Sequence, residues 1–304
     1  FPSQCLELPC SENASIGMAL GAACYGIVPI VCFQRVEFAL LGIEQLVNNA
    51  GKIHYLSDSQ RKNPALFRLV IGRGWGQGPS HSQSLETMFT SIIGLHVFMP
   101  VFPEDSKYIL ENFSNYSQPT ISLENRWCHY SESSNISVDA SMEYVVTAGS
   151  HVTVVAYGYN VLLAGKAAEI LKSFNVDVEV VNLFYLSSNK HHRIIDSVRK
   201  TGRLVVVGME RSVVGIGESI IAEIAISGTV MKEPPIMLKN KTAYSPSSIK
   251  LVNEHYITCI DIIDSVLTLL DLPDEIKGFI YETADIVDRS SLPDVPNALF
   301  SGPF

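Results

Sequence analysis

Apolar and polar residues alternate along the chain in a way that predicts strands and helices in turn. Short, largely apolar runs such as Leu66–Ile71 and Leu204–Gly208 are typical of buried strands. Longer segments, including residues 37–50 and Val161–Phe174, carry apolar residues at helical spacing. Strands that alternate with helices predict mostly parallel sheets with helices on both faces. The predicted fold class is therefore α/β, with doubly wound, mostly parallel sheets.

A polar stretch near the middle of the chain indicates a domain boundary. Residues 131–137 include four serines, and such clusters commonly form loops between regular elements. The strand pattern resumes at His151–Tyr157. Because a chain of 304 residues is long enough for about two domains, we expect one domain over residues 1–135 and another over residues 136–304.

Charge and cysteine content exclude some classes of partner and site. The chain has 22 Lys and Arg against 31 Asp and Glu, a formal net charge of −9. Without basic runs, we expect neither nucleic acid nor an anionic membrane as a partner. The six cysteines form no Cys-x-x-Cys pair, so no zinc site is predicted, and most lie in apolar runs that favour buried thiols. His129, His191 and His192 are expected at the surface.

The most distinctive local pattern is a glycine-rich stretch, Gly72–Pro79, followed by the triplet His81-Ser82-Gln83. Its four glycines at alternate positions allow close backbone approach, and ligands bind at loops that follow parallel strands. The spacing matches neither the dinucleotide-binding fingerprint nor the phosphate-binding P-loop. From these residues alone, a ligand-binding loop and a long surface loop with a solvated histidine remain equally open.

Two helix starts could carry chemistry or merely cap their helices. Glu12 precedes the predicted helix over residues 13–25, where a carboxylate normally caps the helix and interacts with its dipole. The segment Gly215–Gly217 precedes another helix and could form an anion-binding start. On the residues alone, the structural interpretation is favoured at both places.

Many of these features recur, in the same order, in a known enzyme family. The matching residues are Ser11-Glu12, Gly17–Gly26, Pro29-Ile30, Phe38, Gln45, Asn48, Lys52, Tyr55, His81–Ser84, Gly94-Leu95, Pro100, Pro103, Leu123-Glu124 and Lys200–Arg203. With these residues the chain resembles, over nearly its whole length, the β subunits of the first component of 2-oxoacid dehydrogenases, as in the pyruvate and branched-chain enzymes. The Gly72–Pro79 loop and Arg126-Trp127 look more like the transketolase-like β chains of bacterial cell-surface sugar loci.

The resemblance implies a pyrimidine-binding domain followed by a transketolase-type C-terminal domain, with three site residues. The family's catalytic glutamate, matched by Glu12, binds N1′ of the thiamin diphosphate pyrimidine, and it needs burial to share its proton with that nitrogen. Phe38 matches the aromatic residue that packs on the pyrimidine. His81 matches the catalytic histidine that orients the substrate or handles protons near the reacting carbon.

Thiamin enzymes hold Mg²⁺ and the diphosphate with a Gly-Asp-Gly motif, which does not occur in this sequence. The resemblance therefore implies that an α-type subunit holds Mg²⁺ and that thiamin diphosphate is shared between the subunits of an α2β2 heterotetramer. A lipoyl acyltransferase is a further expected partner. No metal ligand is predicted in this chain. The cytoplasm is the expected compartment, with the mitochondrial matrix as the alternative.

The implied function is decarboxylation of a pyruvate-like 2-oxoacid with acyl transfer to a lipoyl group. The alternatives are a transketolase-like carboligase subunit of sugar or polysaccharide biosynthesis and a degenerate, non-catalytic subunit. Departures from the family motivate them. Only eleven residues precede Glu12, so we expect an amino-terminal segment to be missing. Val36, Glu37 and Leu41 replace the family's usual residues, and Tyr116 replaces its potassium-site aspartate, so no potassium site is predicted.

Overall fold

The computed structural model describes residues 2–289 except 73–75, 134–135, 137, 139–141, 210–212 and 242–243. The first half of the chain forms a sheet of strands β1 (Ile30–Phe33), β2 (Leu66–Ile71), β3 (His96–Phe98) and β4 (Thr120–Asn125). Its helices are α1 (Glu12–Cys24), α2 (Val36–Ala39), α3 (Ile53–Leu56), α4 (Glu86–Thr90) and α5 (Pro103–Asn112). All four strands are parallel, in the order β1-β2-β4-β3.

The second half forms a sheet of strands β5 (Glu143–Thr147), β6 (Val152–Ala156), β7 (Val178–Leu183), β8 (Leu204–Val207) and β9 (Ile236–Leu238). Its helices are α6 (Asn160–Lys172), α7 (His192–Thr201), α8 (Ile216–Ile226), α9 (Val252–His255), α10 (Cys259–Thr268) and α11 (Asp274–Arg289). The strand order is β5-β7-β6-β8-β9. No helix in the described part of the chain combines the length and hydropathy of a membrane span.

The alternation of strands and helices confirms the predicted α/β fold with mostly parallel sheets. Within the described residues, one strand pair, β5 with β7, is antiparallel. Buried side chains account for this arrangement, because all four residues of Leu204–Val207 and four of the six in Leu66–Ile71 are buried. The polar stretch over residues 131–137 lies partly outside the described residues, at positions 134, 135 and 137.

The two halves of the chain meet at the end of β3. The backbone N–H of Met99 donates a hydrogen bond of 3.0 Å to the carbonyl of Phe184, and the N–H of Leu186 donates one of 2.8 Å to the carbonyl of Val97. These bonds join the end of β3 to the segment that follows β7. The two sheets are therefore held together by backbone bonds as well as by shared apolar contacts.

The helix predicted over residues 37–50 is interrupted. Its first part is α2, followed by a 3-10 turn over Leu40–Gly42 and a π-helical segment over Gln45–Ala50. Gly42 lies so close to α1 that a Cβ atom there would stand 2.6 Å from Cδ1 of Ile16 and 3.0 Å from the carbonyl oxygen of Glu12. Packing against α1 therefore decides the path of this segment, and its apolar spacing alone predicted the wrong continuity.

Strand β5 and helix α11 were not predicted from the sequence. Helix α10 begins at Cys259, after α9 has ended at His255, because Thr258 caps α10 and exchanges hydrogen bonds with Asp261.

Most cysteines were expected to be buried, but only two of the six are. None of the six is in a disulfide, and Cys128 and Cys259 are buried. Cys24 is partly exposed, and the remaining three, Cys5, Cys10 and Cys32, are exposed. Cys32 is exposed because β1 is an edge strand and its outer face is incompletely covered.

Candidate active site

Two of the three predicted site residues are in contact. Helix α2, which carries Phe38, follows β1, and the segment with His81 follows the neighbouring strand β2. Because the two strands are parallel, both connections leave the sheet at the same edge. The rings of Phe38 and His81 meet edge-on, with centroids 5.5 Å apart and planes inclined by 64°. Both side chains are half-buried.

Glu12 lies on an element that touches the one carrying Phe38. It is the first residue of α1, and its carbonyl faces Gly42 in the 3-10 turn that directly continues α2. Glu12 is half-buried, whereas Ser15 and Ile16 in the next turn are buried. In this chain alone its burial is thus less complete than the family resemblance implies.

His81 carries a buried atom without a partner. Its Nδ1 is enclosed and makes no hydrogen bond in the described structure, and the same is true of Oε2 of Glu37 in α2. Enclosed polar atoms are normally hydrogen-bonded, so such atoms at a site indicate a missing ligand group or water. An aromatic ring beside unpartnered polar atoms suits a flat, polar heterocycle of the kind expected from the sequence.

Two charged residues, one just before α2 and one within it, form hydrogen bonds with the chain on either side of His81. The buried guanidinium of Arg35 donates a hydrogen bond of 3.4 Å to the carbonyl of Gly72 and another to Oε1 of Gln77. Burial lowers the pKa of Arg35, and the charge of Glu37 opposes that shift. Oε1 of Glu37 accepts a hydrogen bond of 2.8 Å from the N–H of Gln83.

The glycines of the loop allow close approach to other parts of the chain. Gly72 has a φ of 101°, and a Cβ atom there would stand 2.9 Å from the side-chain nitrogen of Asn125 at the end of β4. Gly76 and Gly78 also have positive φ and lie against Ser247 from the second half of the chain. These three glycines therefore lie close to other protein atoms, and the approach of this loop to a ligand stays a prediction. Residues 73–75, including Trp75, lie outside the described residues.

A second polar cluster lines a cavity of about 270 Å³ beside β4. Glu124 accepts hydrogen bonds from Arg68 at 2.7 and 2.8 Å and from His129 at 3.2 Å. Burial alone would raise the pKa of Glu124, but the hydrogen bonds from His129 and Arg68 outweigh it and lower the pKa to about 2. The carboxylate is saturated by protein donors, which indicates a structural role.

The surface position predicted for His191 is wrong. Its side chain is 3% exposed, and Nδ1 lies 2.5 Å from Oε1 of Glu143 in β5. Its backbone N–H donates to Oε1 of Glu223 in α8 at 3.1 Å. These bonds join the start of α7 to two other elements and lie in the second half of the chain, apart from Phe38.

The turn before α8 uses its own side chains to satisfy its backbone. The N–H of Gly215 donates to Oε2 of Glu218 at 2.9 Å. A Cβ atom at Gly217 would collide with the side chain of Met237. These contacts agree with the structural interpretation of the Gly215–Gly217 segment. Among the described residues, no group of three or more His, Cys, Asp or Glu is placed to hold a metal ion.

Comparisons with known proteins match both halves of the chain. The family model for the transketolase pyrimidine binding domain matches residues 1–127, and the model for the transketolase C-terminal domain matches residues 142–260. The pyruvate dehydrogenase E1 component subunit beta of Rickettsia bellii is 35% identical over 237 residues, which cover 76% of this chain and 71% of that protein. The mitochondrial counterpart from Saccharomyces cerevisiae is 34% identical. The match covers 72% of this chain and 62% of that protein.

Two further similarities broaden the comparison. The beta subunit of an acetoin:2,6-dichlorophenolindophenol oxidoreductase from Cupriavidus necator is 32% identical over 72% of this chain and 66% of its own. A solved structure described as a split gene transketolase, inactive beta4 tetramer, superposes with a TM-score of 0.71 over 89% of this chain and 85% of that one. At 20% sequence identity, this structural likeness shows the fold alone.

Proposed function

The chain belongs to the family of pyruvate dehydrogenase β subunits, and from that membership we propose that it is the β subunit of a thiamin-diphosphate-dependent 2-oxoacid dehydrogenase. The observation that carries the proposal within the molecule is the contact between Phe38 and His81 beside the start of α1. A 2-oxoacid of the pyruvate type is the proposed substrate and a lipoyl group the proposed acyl acceptor.

The half-buried site fits the aminopyrimidine half of the cofactor that this family implies. Thiamin diphosphate, when bound, supplies the carbon nucleophile that the protein side chains lack. The exposed part of the Phe38 ring would pack on the pyrimidine and exclude water from it. The carboxyl group of Glu12 would hold a proton shared with the ring nitrogen N1′, and a partner chain over α1 would complete its burial.

His81 would act on the substrate. Its Nδ1 is enclosed without a hydrogen-bond partner in the described structure, which supports a role in donating to, or accepting from, an oxygen of the bound keto acid. The edge contact with Phe38 limits rotation of the imidazole. These two features together would hold a proton at a fixed point near the reacting carbon.

The partner in this proposal is an α-type subunit that holds Mg²⁺ and the diphosphate, in an assembly of two α and two β chains that also meets a lipoyl acyltransferase. The absence of a Gly-Asp-Gly motif from the sequence supports the assignment of Mg²⁺ and the diphosphate to that subunit. Large apolar side chains around the site are exposed, including Met18 in α1 (52%) and Leu41 beside Phe38 (68%). Exposed apolar residues next to a site are typical of a covered interface.

We also propose a domain boundary between residues 135 and 136 and a cytoplasmic location. The two sheets and the separate family-model matches to residues 1–127 and 142–260 support the boundary. The bacterial relatives support the cytoplasm, and the mitochondrial relatives support the matrix as the alternative.

The acetoin relative favours a hydroxyketone as a second candidate substrate class.

Co-expression with an α-type subunit tests the proposal. The complex should bind thiamin diphosphate in a calorimetric titration with Mg²⁺ and decarboxylate a 2-oxoacid, while the isolated chain should bind no cofactor. His81→Ala should lower turnover more than cofactor affinity. Tight binding by the isolated chain would contradict the shared site, and a normal turnover number for the His81 variant would contradict its catalytic role. Acetoin cleavage without decarboxylation would favour the second substrate class.

A further inference from the structure

The short segment from Arg35 to Phe38 contacts the loop that carries His81. The contacts lie near the start of the loop, at its end and at His81 itself. We infer that Arg35 and Glu37 are positioning residues, which fix this loop so that His81 faces the reacting groups. The inference rests on the proposed function of His81 and adds two residues to the site. Neither residue was singled out by the sequence as functional.

Arg35 fixes the first part of the loop. Its side chain is 5% exposed, and its guanidinium donates both to the carbonyl of Gly72, where the loop leaves β2, and to the side chain of Gln77. A guanidinium removed from water is tolerated where protein acceptors and a nearby negative charge replace the solvent. The burial that lowers the pKa of Arg35 and the opposing charge of Glu37 agree with such an arrangement.

Glu37 fixes the end of the loop. Oε1 accepts from the N–H of Gln83, two positions after His81, at 2.8 Å. Phe38, the next residue in α2, places its ring against the imidazole. The chain is therefore held on both sides of His81, by Arg35 just before α2 and by Glu37 within it, and the imidazole is held in between.

The remaining oxygen of Glu37 suggests that the arrangement serves a ligand as well as the fold. Oε2 is enclosed without a partner in the described structure, as is Nδ1 of His81. The two atoms belong to segments joined by the Gln83 hydrogen bond and by the ring contact. Each of these two enclosed atoms could bind a water or a polar group of a ligand.

Catalytic geometry depends on such support, because a displacement of about 1 Å in a catalytic group can cost on the order of 100-fold in rate. A loop that merely stabilised the fold would not require Arg35 and Glu37 to hold it at points flanking a histidine. Loss of the two contacts should therefore lower kcat, with little effect on how tightly the cofactor binds.

The test compares Glu37→Ala, Glu37→Gln and Arg35→Met in the complex with the α-type subunit. Glu111→Gln and Arg199→Met are the matched controls, because these residues are exposed and lie on α5 and α7. Hydrogen exchange over residues 76–83 reports on the loop without requiring activity. Steady-state kinetics over a range of pH and thiamin diphosphate titrations report on the site.

In Glu37→Ala we expect the amide of Gln83 to exchange about 10-fold faster and kcat to fall about 10-fold, while the cofactor Kd changes less than about 3-fold. Glu37→Gln keeps an acceptor for that amide, so the protection of Gln83 and kcat should both stay close to the wild-type values. Arg35→Met should accelerate exchange in residues 76–78 and lower kcat. Both controls should match the wild type.

The outcomes separate the inference from the function on which it rests. Unchanged exchange in Glu37→Ala and Arg35→Met would overturn the loop contacts, whatever the activity. Faster exchange with unchanged kcat, or a loss confined to cofactor binding, would overturn the positioning role. If the wild-type complex exchanges slowly over this loop but shows no thiamin-dependent turnover, the proposed function fails and the positioning role fails with it, while the loop contacts themselves stand.

Discussion

The ring of Phe38 meets the ring of His81 edge-on, 5.5 Å between centroids, at the point where two neighbouring parallel strands end. Edge contacts of this kind contribute about 0.5–1.5 kcal/mol beyond simple burial and fix the relative orientation of the two rings. Phe38 is half-buried, so part of its side chain is accessible from outside the chain.

Phe38→Ala should weaken thiamin diphosphate binding about 10-fold, equivalent to about 1.4 kcal/mol, because the pyrimidine loses its packing surface. Turnover should fall as well, since His81 gains rotational freedom. Isothermal titration of the assembled complex measures the affinity. Tyr55→Ala, at an aromatic residue that is 83% exposed, is the control and should bind the cofactor normally. Equal affinities for both variants would contradict the cofactor contact.

Glu12→Gln should slow exchange of the cofactor's C2 proton by about 100-fold or more, because an amide cannot share a proton with N1′ in the way a carboxyl group does. The exchange rate is measured by NMR after quenching in deuterated buffer. The thermal midpoint should match that of the wild type, since the half-buried side chain makes few contacts. Glu111→Gln on the surface of α5 serves as the reference. Wild-type exchange in the Glu12 variant would remove this residue from the mechanism.

Gly42→Ala should lower the free energy of unfolding by about 1–3 kcal/mol, because the new methyl group would overlap Cδ1 of Ile16 and the carbonyl of Glu12. Gly21→Ala provides the contrast. Gly21 lies in the last turn of α1 with nothing within 4 Å of an added Cβ atom, so alanine there should stabilise the helix by about 0.5 kcal/mol. Urea unfolding of the two variants measures both effects. The same sign for both would show that α1 and the 3-10 turn do not touch as described.

The Arg68, Glu124 and His129 cluster should make stability depend on acid. Despite burial, hydrogen bonds from His129 and Arg68 hold the pKa of Glu124 at about 2, below its ordinary value of 4.5. A depressed carboxyl pKa stabilises the fold above the unfolded pKa, and this contribution, on the order of 3 kcal/mol, is lost as the pH falls from about 4.5 to about 2. Glu124→Gln should therefore lose less stability than the wild type between pH 6 and pH 2. Urea unfolding across this range measures the difference, and parallel curves would contradict it.

Much of the fold follows from local sequence patterns. Strands β2, β6 and β8 are short and largely apolar, and their positions are predicted closely, as is α1. The interrupted helix after β1 could not be predicted, because its course depends on the contact of Gly42 with a residue thirty positions earlier. The burial of His191 could not be predicted either. Its partners Glu143 and Glu223 lie 48 and 32 positions away, so its burial has no local signal.

The candidate site, like the fold, could be predicted only in part from the sequence. Glu12, Phe38 and His81 were named through family resemblance, and their roles remain predictions, but the structure places the last two in contact. Arg35 and Glu37 were missed as contributors because their partners Gln77 and Gln83 lie 42 and 46 positions further along the chain. Two charged residues shortly after β1 were the signal available.

The backbone bonds between the end of β3 and the segment after β7 have a consequence for how the protein comes apart. Each half depends on the other to satisfy buried amides, so neither is expected to behave as an autonomous folding unit. Limited proteolysis within residues 131–141 should leave two fragments that co-elute under native conditions. Calorimetry of the intact chain should give a single endotherm, because melting of one sheet withdraws the hydrogen-bonding partners of the other.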